Sequence, residues 1–235
     1  KQDEARSVSA ALQREFPKSP AGSVLEGEIA MAGKKYPDAI AAFKRAIALE
    51  RSTPVQIKLS QAIAAAGNTA EADQSVRALI KERPDDPMLR AYAGQYFIER
   101  EKWSDAIENY RVVIAKQPEN ALAMNNLAWA LNESKEASAL EVAEKAYALA
   151  PKAPAVLDTL GVVLVSRGQA ERGLQVLRQV VSIVPKAAAP RLHLAEALIK
   201  TGDKSGARVE LDTLLKDTAE GPIADKARKL SAELG

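Results

Sequence analysis

Proline recurs in this chain at an interval that only a repeating architecture explains. Pro84, Pro118, Pro151 and Pro185 lie 34, 33 and 34 residues apart. Pro17 precedes Pro84 by 67 residues, two intervals with one proline missing, and Arg51 occupies the skipped place. Each proline closes an apolar-periodic stretch, as in RALIKERP, RVVIAKQP and RQVVSIVP. Proline lacks a backbone N–H and cannot continue a helix, so it marks the end of a helical unit. A fixed period of this length overrides the domain count that 235 residues would otherwise suggest.

Small residues keep the same period. Ala5, Ala39, Ala72, Ala106, Ala139, Gly173 and Ala207 form one series. Gly27, Ser60, Gly94, Ala128, Gly161 and Ala195 form a second. Two small positions per unit are what two helices need where they cross closely. A third series, Ala30, Ile63, Phe97, Leu131, Leu164 and Leu198, is apolar throughout and is expected to pack between the pair. Gly67, Gly168 and Gly202 stand at corresponding places between the helices, where a left-handed residue ends a helix. Pro37 suits the first turn of a second helix, and Pro20, Pro87 and Pro154 open first helices. The 47% hydrophobic content includes only 4% aromatic residues, and much of it is alanine, which favours thin, closely packed helical layers.

These units resemble the tetratricopeptide (TPR) repeat, a helix–turn–helix of about 34 residues. Leu127–Ala128, Leu160–Gly161 and Leu194–Ala195 match its first helix. Ala39, Phe43 and Ala46, with Ala106 and Tyr110, match its second, and Tyr36 and Trp103 fill the aromatic place before it. The resemblance implies an all-α, right-handed superhelical α-α solenoid running through residues 1–235 as a single array. The expected repeats are 20–53, 53–86, 87–120, 121–153, 154–187 and 188–221. Residues 1–19 match only the second helix of a truncated repeat, so earlier repeats are expected upstream. In 222–235, Arg228 and Lys229 fall where a leucine and a small residue belong, whereas Ile223, Ala227, Leu230 and Leu234 make one apolar stripe. That pattern predicts a helix capping the solenoid end.

Residues 125–179 carry a narrower resemblance, in the shortened turn NESKEASA and the segment LDTLGVVLVSRG. They are similar to the C-terminal part of TPR lipoproteins of PEP-CTERM/exosortase systems, which are bacterial, periplasm-facing proteins tied to exopolysaccharide production and protein sorting. This similarity implies a periplasmic or outer-membrane-associated lipoprotein, held by a lipid anchor outside the present residues, with polysaccharide-secretion components among its partners. A cytoplasmic adaptor or cochaperone, or the TPR part of a larger enzyme or regulator, are the alternatives.

The chemistry-bearing residues argue against catalysis. There is one histidine, His193, and no cysteine, so the usual zinc ligand sets are missing and no cofactor or metal is expected. Gly27 to Gly33 followed by Lys34 superficially matches a phosphate-binding loop, but five residues separate the glycines where four are needed, and Lys35 replaces the Ser or Thr. Asp85 and Asp86 follow Pro84 at a repeat junction and suit a helix N-terminus better than an acid–base pair. A formal charge of +2, from 33 basic and 31 acidic residues, leaves no basic stripe for nucleic acid. No stretch approaches the 18 apolar residues of a membrane span.

The expected activity is therefore non-catalytic binding of a protein or peptide on the concave face lined by first helices. Tyr92, Gln95, Asn125, Trp129, Asp158 and Glu196 are the candidate contact residues, with Asn126, Thr159 and His193 one step round the helix. His193 has no evident partner in the sequence and is read as a solvated or groove residue. The carboxylate clamp of chaperone-binding TPR domains is not rebuilt: Val24 and Glu28, Ile57 and Gln61, and Ala91 and Gln95 stand in its places. Acidic C-terminal tails of the EEVD kind are accordingly not the expected ligand.

Overall fold

The structure, a computed structural model, describes residues 2–235. Fourteen helices follow one another, and no strand occurs among the described residues. The chain divides into two compact units, residues 1–93 and 94–235. In the first unit, α1 (Gln2–Glu15) is followed by two helix pairs, α2 (Ala21–Ala32) with α3 (Tyr36–Leu49), and α4 (Thr53–Ala65) with α5 (Thr69–Glu82). The division falls inside α6 (Pro87–Ile98).

The second unit continues with α7 (Trp103–Lys116). Three pairs follow: α8 (Ala121–Glu133) with α9 (Ala139–Leu149), α10 (Pro154–Ser166) with α11 (Ala170–Ile183), and α12 (Ala188–Lys200) with α13 (Lys204–Asp217). The last element is α14 (Pro222–Glu233). Here α8 also packs on α10, α10 on α12, and α12 on α14, so first helices form a continuous row. This is the helical-repeat solenoid expected of the sequence.

The small positions are where the helices meet. Ala39, Ala72, Ala106, Ala139 and Ala207 are fully buried, and Gly173 is buried with them. Ala5, at the start of the series, is only half-buried. A β-carbon on Gly27 would lie 2.4 Å from the Phe43 ring, and one on Gly94 would lie 2.7 Å from the Tyr110 ring. The glycines therefore stand opposite large partners, sixteen residues on in each case. Burying a side chain such as Phe43 or Leu177 contributes about 1.5–3 kcal/mol, and without the glycine that contact would be overpacked.

The turn after the first helix of each of the six repeats passes through a left-handed residue. Gly67, Gly168 and Gly202 have φ of 85°, 82° and 89°. Lys34, Glu101 and Lys135 occupy the same place in the other repeats, with φ of 56°, 55° and 60°. The next residue's N–H then reaches back to the carbonyl of the third apolar series: Lys35 to Ala30, Asn68 to Ile63, Lys102 to Phe97, Glu136 to Leu131, Gln169 to Leu164 and Asp203 to Leu198. This is the Schellman closure of a helix C-terminus. Glycine marks three of the turns, and the other three carry no sequence signal.

At the C-terminal end, Ala224 and Ala227 are buried, and Ile223, Leu230 and Leu234 pack against Leu192, Leu211 and Leu214. Arg228 stays outside, bonded to Asp225 and to the Ala219 carbonyl. No helix among the described residues is long and apolar enough to cross a membrane.

Candidate functional site

The row α8–α10–α12 carries three of the candidate residues on one connected cluster. Asp158 of α10 and His193 of α12 pair through Oδ2 and Nδ1 at 2.7 Å. Their side chains are 12% and 19% exposed. Trp129 of α8 lies against His193, with ring centroids 5.3 Å apart and planes 36° apart. Packed helices run 8–10 Å apart, and α10 stands between α8 and α12 in the row. Trp129 and His193 therefore reach toward each other across the face of α10.

The packing explains why these side chains stay on the face. Positions 128, 161 and 195 turn inward and are buried, as are Leu131, Leu164 and Leu198; residues 129 and 193 turn away from them and are half-buried, whereas Asp158, three residues from Gly161, is itself buried. Asn125 lies one turn before Trp129 and is 7% exposed. Its Nδ2 donates to Asn126 Oδ1 at 3.2 Å, and Asn126 Nδ2 donates to the Tyr110 hydroxyl at 2.9 Å. That chain ties α8 to α7. Burial pushes the Tyr110 hydroxyl up to about 12; the Asn126 hydrogen bond opposes the shift, and the negative charge of Glu99 adds to it. Asn125 Oδ1 and Asp158 Oδ1 are buried and accept no hydrogen bond within the protein.

The remaining candidates are placed differently. Glu196, one turn beyond His193, pairs with Lys226 of α14 at 2.5 Å. Gln95 is exposed and donates to Glu99 at 3.1 Å. Tyr92 is half-buried and belongs to the first unit. His193, read from the sequence as lacking a partner, has Asp158. The signal was present in the register: the two residues are 35 apart on consecutive first helices, one step beyond the repeat. Asp86 caps α6, accepting from the N–H groups of Met88 at 3.0 Å and Leu89 at 3.1 Å, which is the role expected of it.

The cluster offers an aromatic surface, amides and a carboxylate–imidazole pair. No group of three metal-ligating residues occurs among the described residues. Such a set suits recognition by stacking and hydrogen bonding.

Comparison with known proteins agrees with this architecture. Two tetratricopeptide repeat models match, one over residues 3–55 and 93–154 and the other over 164–230. A TPR repeat-containing protein of Pseudomonas aeruginosa is 29% identical over 135 residues, covering 56% of this chain and 23% of that protein. The chain thus spans less than a quarter of the length of that relative. A tetratricopeptide repeat protein of Parabacteroides merdae superposes with a TM-score of 0.74 at 13% identity, covering 92% of this chain and 88% of its own. YrrB, a TPR protein with an unusual peptide-binding site, superposes with a TM-score of 0.55 at 16% identity, over 81% of this chain and all of its own. The similarity to these solved structures is one of fold, and the repeat models carry the assignment by sequence over most of the chain. With its period of 33 or 34 and its helix pairs, the chain belongs to the tetratricopeptide repeat family, whose repeats point to a protein–protein interaction scaffold.

Proposed function

We propose that this chain is a non-catalytic scaffold that takes a protein or peptide segment on the first-helix face of residues 94–235, with Trp129 as its main anchor. The observation that supports this most is the Trp129–His193–Asp158 cluster, which joins three successive first helices on one face. Trp129 is half-buried, so its backed ring still offers apolar area beside the amides of Asn125 and Asn126. Large aromatic residues held in this way are the usual centres of binding energy. The peptide-binding site named for YrrB gives this reading a precedent within the same fold.

Trp129→Ala should remain folded and lose peptide binding. Panning a random peptide display library on both proteins, with thermal melts alongside, tests this. Peptides retained by the parent chain and lost from the folded variant support the reading. Peptides held equally by both remove Trp129 from it. An oligosaccharide array run in parallel decides between peptide and glycan.

The finer assignment is to a bacterial envelope system of the exosortase and exopolysaccharide type, in a periplasmic or outer-membrane-associated lipoprotein. It rests on the similarity of residues 125–179 to that group. Polysaccharide-secretion components would then be among the partners. Fractionation of the native cell with an antibody to this chain checks it, and a wholly cytosolic pool would point to an adaptor or cochaperone instead.

A further inference from the structure

The joint between α1 and the α2–α3 pair is polar where the corresponding positions of later repeats are apolar or aromatic. Ser9 stands where Phe43, Val76, Tyr110, Ala143, Leu177 and Leu211 stand in later second helices. Gln13 occupies the place of Ile47, Ile80, Ile114, Tyr147, Val181 and Leu215. On the facing helix, Gly22 replaces Val55, Leu89, Ala123, Val156 and Pro190, and Glu26 replaces Leu59, Ala93, Leu127, Leu160 and Leu194. The polar groups are joined. Ser9 Oγ donates to the Gly22 carbonyl at 2.8 Å, Gln13 Nε2 donates to Glu26 Oε2 at 2.8 Å, and Arg45 Nη2 reaches the same oxygen at 2.7 Å. A cavity of about 460 Å³ opens beside them.

The exchange lies at the joint itself: Ser9 is only 3% exposed, and the side chains of Glu26 and Arg45, 42% and 50% exposed, carry the polar network out to its rim.

We propose that this cavity is a binding site for a carboxylate on a short apolar stem, such as an acidic side chain of a partner protein. Arg6, Lys35 and Arg45 line it against two carboxylates, Glu26 and Asp38. Glu26 is held by Arg45 and Gln13, and its carboxyl lies below its ordinary range: burial would raise it, but the hydrogen bonds from Arg45 and Gln13 and the Arg45 charge outweigh that. Arg6 reaches only Asp3, at 3.8 Å, and Lys35 makes no ion pair among the described residues. Arg6 and Lys35 thus carry two positive charges against Asp38, the one lining carboxylate that Arg45 does not hold, and Ile29 and Ala30 add apolar lining. The volume falls within the range of small-ligand pockets, about 300–1,000 Å³. This site is separate from the Trp129 face, and its test does not depend on that face.

Calorimetric titration of the whole chain with a blocked peptide carrying two adjacent glutamates, its glutamine counterpart and inorganic phosphate tests the assignment. The glutamate peptide should bind, and the double variant Arg6→Gln/Lys35→Gln should weaken it at least tenfold with an unchanged melt. Both side chains are exposed, so the variant keeps the fold. Gln13→Ile, which restores the apolar filling, should raise the melting temperature and reduce binding. Trp129→Ala should bind the peptide like the parent. Equal binding of the glutamine peptide, equal binding of phosphate, no effect of the double variant, or no binding at millimolar peptide would each overturn the proposal.

Discussion

Gly161 lies against Leu177 so closely that a β-carbon on the glycine would come within 2.6 Å of Leu177 Cγ and 3.3 Å of the Gly173 carbonyl oxygen. The first contact is with a buried side chain and the second with backbone, so neither yields freely. Gly161→Leu should destabilise the chain by roughly 1–3 kcal/mol through overpacking. Arg228→Leu, at a side chain 52% exposed on α14, should cost under about 0.5 kcal/mol. Urea melts that rank the two the other way would refute this packing register.

Lys34, Glu101 and Lys135 hold the left-handed conformation that glycine holds in the other three turns. That conformation costs an L-residue about 1–2 kcal/mol. Glycine removes the cost but adds freedom to the unfolded chain, worth about 0.5–1 kcal/mol. Each of Lys34→Gly, Glu101→Gly and Lys135→Gly should therefore stabilise by roughly 0.5–1 kcal/mol, and Gly168→Ala should destabilise. Thermal melts of the four variants check the signs.

Asp86 gives the stability of the first unit a dependence on pH. Burial tends to raise its carboxyl, but hydrogen bonds from Thr53 and from the Leu89 and Met88 N–H groups, with the Arg83 charge, outweigh that and hold it below the ordinary value. A depressed folded value means the contribution is full above the unfolded value of about 4 and is lost as pH falls through the folded one. Asp86→Ala should cost about 1 kcal/mol at neutral pH, as cap removal does. The gap between the two proteins should close below about pH 4. A gap that persists at pH 2 would show that the carboxylate charge is not what the cap uses.

His193 and Asp158 should couple energetically. His193→Ala leaves Asp158 with neither oxygen paired at a position only 9% exposed, which should cost about 1–3 kcal/mol. Removing both polar groups together, as in Asp158→Leu/His193→Leu, should recover much of that loss, since an apolar pair leaves nothing unsatisfied. A double-mutant cycle by denaturant melts measures the coupling, and simple additivity of the two single changes would argue against a working pair.

Much of this molecule could be read before any helix was placed. The period of 33 or 34, the two small positions and the apolar third series are local patterns repeated six times, glycine marks three of the six turns, and repetition makes a weak signal legible. The terminal helix was readable for the same reason, because Arg228 and Lys229 break the register while Ile223, Ala227, Leu230 and Leu234 form a stripe of their own. What tertiary structure decided lies between repeats. Nothing local joins Trp129 to a histidine two repeats away; the packing of α8, α10 and α12 does. Likewise, Ser9, Gln13 and Glu26 look like ordinary polar helix residues until packing turns all three toward one joint. Period and composition act along the chain and are visible in it, whereas contacts across the stack depend on which faces the stacking brings together.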